Sequence, residues 1–287
     1  TDEASWTTVS GVTSPHPITG LIANTLYYVQ TRAVAASATP TDGAWSASAS
    51  DTTAVITFDP DDLNPYARFD FDVVGNITEN PAGEAVQVVA VTGGLTLVAG
   101  NTNKLLTGTT LIDGKNVLRS DTAGNHLRLD VADFPGGAGT VVWVGTVEGE
   151  ITSGFSCPYS MDGLDDFQLK SNLGLFELDS TEHTNIAYGS DQLSTDVRIF
   201  VYRYDQGTTS AEFIGDGISV GTAANFNVAY SAAMVTRLST NRSTAHSPLS
   251  SICNFHIYPT WLTNTELNNL GNWIVSQRPS ATWNDMA

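Results

Sequence analysis

Three groups of side chains in this chain have the types and spacing to do chemistry. Glu177, Asp179 and Glu182 place three carboxylates close together in sequence. Retaining cleavage of a glycosidic bond needs two carboxyl groups about 5–5.5 Å apart, and alternate residues on one strand face, with a bulge, can hold them so. A second group is aromatic. Tyr202 and Tyr204 share a strand face with Arg198, and His256 and Tyr258 share a face further on, with Trp261 just beyond. Rings that meet the apolar side of a pyranose, with Arg, Asp or Asn to pair its hydroxyls, make a glycan-binding face. Phe200, on the first of these faces, reads as core, and Trp261 as an anchor for the helix that follows it. The third group is acidic. Asp59, Asp61 and Asp62 form one loop, and Asp162, Asp165 and Asp166 another. Calcium takes carboxylate and carbonyl oxygens from such loops. Neither has the spacing of a calcium-binding helix-loop-helix, so a solvated acidic turn is the plainer expectation for each.

Composition removes other classes. The 287 residues carry 12 Lys+Arg against 30 Asp+Glu, a formal charge of −18, and only Lys104, Lys115 and Lys170 are lysines. Such a surface repels phosphate, which argues against nucleic acid and against an anionic membrane face as partners. No run of about 18 apolar residues is present to span a bilayer. Cys157 and Cys253 are the only cysteines. They could form one disulfide if their Cα atoms lie within about 7 Å, but two buried thiols are the simpler reading. With five scattered histidines (His16, His126, His183, His246 and His256) they give no zinc-ligand spacing. No phosphate-binding loop, dinucleotide fingerprint or nucleophile elbow occurs. Asn76-Ile77-Thr78 and Asn241-Arg242-Ser243 fit the N-glycosylation pattern, which matters only in a eukaryotic source.

The elements that must position these groups read as β almost throughout. Short alternating runs fall at residues 26–34, 67–73, 86–91, 126–131, 140–147, 173–178, 197–204, 211–220 and 252–258. Turn signals separate them: Gly93-Gly94, Asp113-Gly114, Gly136-Gly137, Asp162-Gly163 and Asp216-Gly217. Within 197–204, Val197, Ile199 and Val201 point one way, and Arg198, Phe200, Tyr202 and Tyr204 the other. One helix stands out. Thr263 and Glu266 form a capping box, Leu262 and Leu267 a hydrophobic staple, Leu267, Leu270 and Ile274 an apolar stripe, and Arg278-Pro279 the stop. No internal repeat is visible. The chain divides near residue 53 into a first part, 1–53, and a second, 54–279, followed by a frayed tail, 280–287.

The first part resembles the rear half of a fibronectin type III domain. Leu21, Thr25 and Tyr27, followed by Val29 and Arg32-Ala33-Val34, match that family's tyrosine corner, and Gly43-Ala44-Trp45-Ser46 matches the opening of its last strand. Ala23 stands where the family usually has proline. The front half and its core tryptophan are not in the sequence. A half-sandwich leaves apolar edges open, so a longer parent chain is expected.

The second part resembles the concanavalin A-like, laminin-G-like jelly rolls. The resemblance rests on residues 66–73, the Asn116-Val117-Leu118-Arg119 edge before 126–130, and the buried strand 140–147. The Gly215-Asp216-Gly217 hairpin and the closing strand 252–258, with its Leu262-Thr263-x-x-Glu266-Leu267 helix, complete it. It implies an all-β fold of two packed antiparallel sheets with one short C-terminal helix. Glu177, Asp179 and Glu182 also fit the E-x-D-x-x-E signature of family 16 glycoside hydrolases. In that family the first Glu is nucleophile, the Asp orients it and the last Glu is acid/base. Here Ser180 and Thr181 replace the family's apolar residues, and no tryptophan between Trp143 and Trp261 supplies its cleft.

A fold does not carry a function. The two parts in this order resemble the distal end of bacteriophage tail proteins. The expectation is therefore a non-enzymatic adhesion module, on a virion tail or otherwise extracellular, that binds a host-surface glycan or protein. It would act as one of several copies in a homo-oligomeric assembly, with weak sites made effective by number, without membrane insertion and with no cofactor required beyond Ca2+ at the acidic loops if these bind it. The alternatives are a carbohydrate-binding module of a secreted bacterial polysaccharide-degrading protein and a family 16-like hydrolase.

Overall fold

A computed structural model describes residues 26–31, 46, 49–52, 58–100, 104–122, 126–130, 137–150, 159–162, 167–172, 175–180, 183–188, 194–224, 235–239 and 248–287. The chain forms two compact units, Thr1–Thr57 and Phe58–Ala287. In the first, strands Leu26–Val29 and Ala49–Thr52 pair antiparallel. The backbone N–H of Ser46 donates to the carbonyl of Thr31 at 2.7 Å, and the Thr31 N–H donates to the Ser46 hydroxyl at 3.0 Å. Leu21, Thr25 and Gly43-Ala44-Trp45 lie outside the described residues.

The second unit is a sandwich of two antiparallel sheets. Among the described residues, one sheet has seven strands. Its order is Ile218–Ala224, Ser210–Gly215, Ser194–Asp205, Ala138–Glu150, Pro248–Tyr258 and Ala67–Asp70, with Leu118–Ser120 also paired to Pro248–Tyr258. The other has nine, in the order His183–Tyr188, Leu175–Ser180, Phe167–Asn172, Tyr159–Asp162, Val235–Leu238, Leu127–Asp130, Thr96–Ala99, Ala85–Val89 and Ile77–Glu79. The expected run 211–220 divides into two strands at Asp216-Gly217. Both residues have positive φ, 50° and 83°, as a two-residue primed hairpin requires.

The inter-sheet core is aromatic on the seven-stranded side. Trp143 stacks on Phe200 at 5.7 Å, Phe200 on Phe213 at 5.9 Å, and Tyr202 on Tyr204 at 5.6 Å. Ala85, Val88, Leu97, Leu127, Leu129, Tyr159 and Leu238 meet them from the nine-stranded side. A second core lies on the outer face of the seven-stranded sheet. There Val142, Val144, Val197, Ile199, Val201, Ile214 and Cys253 pack under Leu267, Leu270 and Ile274 of the helix Asn264–Gln277. The capping box is present as expected, with the Thr263 hydroxyl accepting from the Glu266 N–H and the Glu266 carboxylate accepting from the Thr263 N–H at 2.7 Å.

The tail departs from expectation. Residues 280–287 are docked rather than frayed. The backbone N–H and side-chain amide of Asn284 both donate to the Asp216 carbonyl at 2.9 Å, and the Met286 N–H donates to the Asn268 side chain at 2.8 Å. The Trp283 ring lies on the helix at Gly271, so close that a Cβ at 271 would meet its Cδ2 at 2.2 Å. This reverses the usual sign of a helix substitution. Alanine normally stabilises a helix interior by about 1 kcal/mol over glycine, but Gly271→Ala must displace Trp283. Thermal unfolding of Gly271→Ala is expected at a lower temperature than wild type, with red-shifted tryptophan emission. A rise in stability would show that the tail does not pack there.

Candidate functional site

On the outer face of the seven-stranded sheet, past the N-terminal end of the helix, an open groove of about 540 Å³ is lined by Asp205, Thr208, Ser210, Ala211, Glu212, Thr222 and Trp261. Cross-strand register assembles it. Arg203 stands opposite Glu212, Glu212 opposite Thr222, and Asp205 opposite Ser210. Asp205 is held at the rim, its carboxylate accepting from the Gly207 N–H at 2.8 Å and the Thr208 hydroxyl at 2.9 Å.

Trp261 sits in the link between the closing strand and the helix, and that link is braced on both sides. The buried Thr140 hydroxyl donates to the Thr260 carbonyl at 2.8 Å and accepts from the Leu262 N–H at 3.0 Å. Arg203 places its guanidinium 4.7 Å from the Trp261 ring centroid, a cation–π contact, and donates to the Leu262 carbonyl at 2.6 Å. The same guanidinium donates twice to Glu212, at 2.8 and 2.5 Å, and to the Asn264 side chain at 2.8 Å. Glu212 takes a further hydrogen bond from Ser219. The groove thus has a braced indole on one side, a fully engaged carboxylate in its floor, and hydroxyls and a second carboxylate around it. That set suits a sugar: a flat apolar surface with hydroxyl-pairing groups beside it.

The aromatic face expected from sequence is not exposed. Tyr202 and Tyr204 are each 0 % exposed, in the inter-sheet core. Arg198, partly buried, donates to Asp216 at 2.5 Å and lies 5.7 Å from the Phe200 ring. The physical reason is that this strand is covered on both faces, so an alternation of aromatic with aliphatic residues marks two cores and not an inside and an outside. His256 and Tyr258 are also fully buried. Trp261, assigned only to anchoring, is the ring that borders a groove. Asp205, Glu212 and Thr222 were missed because no local motif joins them; only strand register does.

The carboxylate group is placed in part. Glu177 and Asp179 lie on strand Leu175–Ser180, opposite Lys170 and Gln168 in the neighbouring strand, and the pairing on the other side shifts register between Leu178 and Ser180. Glu182 lies outside the described residues, as do Asp165, Asp166 and Cys157; Asp162 ends the strand Tyr159–Asp162. In the other acidic loop the cation is internal. Arg68 donates to Asp61 at 2.7 Å and Asp59 at 3.2 Å, Thr92 donates to Asp61 at 2.8 Å, and Asp62 is exposed. Among the described residues no group of three or more His, Cys, Asp or Glu is arranged to hold a metal ion. Cys253 is a buried free thiol, pushed up to about 12 by burial.

No protein-family model matches the chain, and no curated protein does. Solved structures match its fold. Trypanosoma rangeli sialidase, in complex with a difluoro-KDN ligand, aligns with a TM-score of 0.55 at 16% identity over 75% of this chain and 33% of the sialidase. Domain 4 of AbnA, a GH43 extracellular arabinanase of Geobacillus stearothermophilus in complex with arabinotriose, aligns at 0.52 and 12% identity, over 72% of this chain and 98% of that domain. The binding domain of botulinum neurotoxin serotype D aligns at 0.54 and 9% identity, over 74% and 51%. The match thus spans about a third of the sialidase. At these identities the fold is what is shared, and it is a concanavalin A-like β-sandwich.

His256 belongs instead to a buried polar cluster at the strand Ala67–Asp70. Its Nε2–H donates to Asp70 at 2.8 Å, the Asn254 amide donates to the same oxygen at 2.8 Å, and Arg68 stands 3.0 Å from the other. The Tyr258 hydroxyl is 3.4 Å from the His256 Nδ1. Burial works to raise the Asp70 pKa, but the hydrogen bond from His256, the pull of His256 and Arg68, and the Asn254 amide outweigh it and hold it at about 2. A carboxyl held below its unfolded value stabilises the fold above about pH 4 and loses that contribution as pH falls toward 2, here about 2 kcal/mol. Asp70→Asn is expected to be less stable at neutral pH and to show a shallower fall in stability between about pH 4 and 2. Acid-unfolding curves that run parallel for the two proteins would contradict this.

Proposed function

We propose that this chain carries a glycan-binding module of an extracellular protein that acts on polysaccharide, and that the module binds without catalysing. The observation that carries this reading is the groove at Trp261, where an indole braced by Arg203 borders Asp205, Glu212 and Thr222. The arabinanase domain supports it, since nearly its whole length aligns with this chain and it was solved with arabinotriose. The sialidase alignment covers only a third of that enzyme, so its activity is not carried over. The neighbours described above favour this setting over the phage tail expected from the sequence. Such modules gain strength from number, so a single weak site would serve a protein tethered along a polymer.

Trp261→Ala removes the stacking surface and leaves both cores untouched. Its affinity for the polysaccharide that wild type binds is expected to fall at least about tenfold, or about 1.4 kcal/mol, with an unchanged circular dichroism spectrum. Isothermal titration with soluble polysaccharides measures it. Unchanged affinity in Trp261→Ala would contradict the site. Release of reducing sugar by wild type, lost in Glu177→Gln, would contradict the absence of catalysis.

A further inference from the structure

We propose that the Trp261 groove takes uncharged glycans and rejects those bearing carboxylate or sulfate. This deepens the glycan-binding reading and rests on it. A site for an acidic sugar needs a cation or a cluster of unspent donors facing the ligand. Arg203 is the cation at this groove, and protein acceptors take four of its five N–H donors. Nε and Nη2 go to Glu212, Nη2 also to Asn264, and Nη1 to the Leu262 carbonyl. Its side chain is only 6% exposed. Its charge is matched by Glu212, which leaves Asp205 as uncompensated negative charge among the lining residues.

A second positive feature beside Trp261 is the N-terminal end of the helix, where the Thr263 and Glu266 capping groups bond each other. The Glu266 carboxylate accepts from the Thr263 N–H at 2.7 Å and from its hydroxyl at 2.8 Å. An anionic sugar in the groove would therefore meet the Asp205 carboxylate and an Arg203 already paired with Glu212, on a chain whose formal charge is −18. A neutral sugar meets none of these costs. Thr222 supplies a hydroxyl that can donate and accept, the Thr208 and Ser210 hydroxyls can accept while they donate to Asp205 and the Thr208 carbonyl, and Asp205 accepts from sugar hydroxyls.

The test is affinity electrophoresis of the whole chain and of Trp261→Ala. Gels would contain arabinan, galactan or mixed-linkage β-glucan as uncharged probes, and polygalacturonate or chondroitin sulfate as anionic ones. Wild type is expected to be retarded by at least one uncharged polymer and by neither anionic one. Trp261→Ala should lose that retardation at least about tenfold. Titration of the same neutral polymer should change less than about twofold between about 0.02 and 0.5 M salt, since no ion pair forms. Trp261-dependent binding of an anionic polymer, alone or as strongly as a neutral one, would overturn the charge preference and leave the glycan-binding reading standing. Neutral binding that Trp261→Ala does not weaken would overturn the assignment to this groove. Binding to no polymer of either class would overturn the glycan-binding reading itself.

Discussion

The seven-stranded sheet is buried on both faces, and the rest of the molecule follows from that. One face packs its aromatic residues against the nine-stranded sheet; the other lies under the C-terminal helix. A sheet so enclosed has no open face to offer a ligand. What remains is the margin where the helix ends and three strands continue past it. Arg203, Asp205, Glu212 and Thr222 stand on that margin, and the groove is there because cover stops there. The docked tail belongs to the same arrangement. Its Trp283 packs on the helix, the Ala287 carbonyl accepts from Asn264 at 2.6 Å, and Asn264 in turn holds Arg203.

The Arg203–Glu212 pair marks the boundary between covered and open sheet. Both side chains are nearly enclosed, at 6% and 10% exposure. Removing one partner of such a pair leaves a stranded charge and costs about 3–5 kcal/mol, whereas an apolar pair of equal volume is often no less stable. Stability alone therefore does not account for ions at this position. Their geometry does: the guanidinium fork joins Glu212, the Leu262 carbonyl and Asn264 and lies 4.7 Å from the centroid of the Trp261 ring. A hydrophobic substitute would fill the space without fixing the indole.

Much of the fold was legible in the sequence because its signals are local. The Thr263/Glu266 box, the Leu262 staple and the Asp216-Gly217 hairpin each specify their geometry within a few residues, and each is present. The nine runs read from alternation each overlap a strand, whereas Thr96–Ala99, Tyr159–Asp162, His183–Tyr188 and Val235–Leu238 of the other sheet were not among them. The site was not legible, for two physical reasons. Alternation shows that two faces differ but not whether either meets water, so Tyr202 and Tyr204 read as an exposed face when they fill the core. Likewise, Asp205, Glu212, Thr222 and Trp261 become neighbours only through strand register and the path of the link into the helix. The acidic loop shows a related gap, since Asp59 and Asp61 suggest a metal until Arg68, on the adjacent strand, is seen to supply the charge.

A crystal of the chain soaked in a neutral oligosaccharide drawn from a polymer that it binds tests the central claim most directly. The expected result is a sugar ring stacked on the open side of Trp261, with its hydroxyls within hydrogen-bonding distance of Asp205 and Thr222 and Arg203 unmoved beneath the indole. Sugar bound on the nine-stranded sheet, or at the strand carrying Glu177 and Asp179, with the Trp261 groove empty, would contradict it.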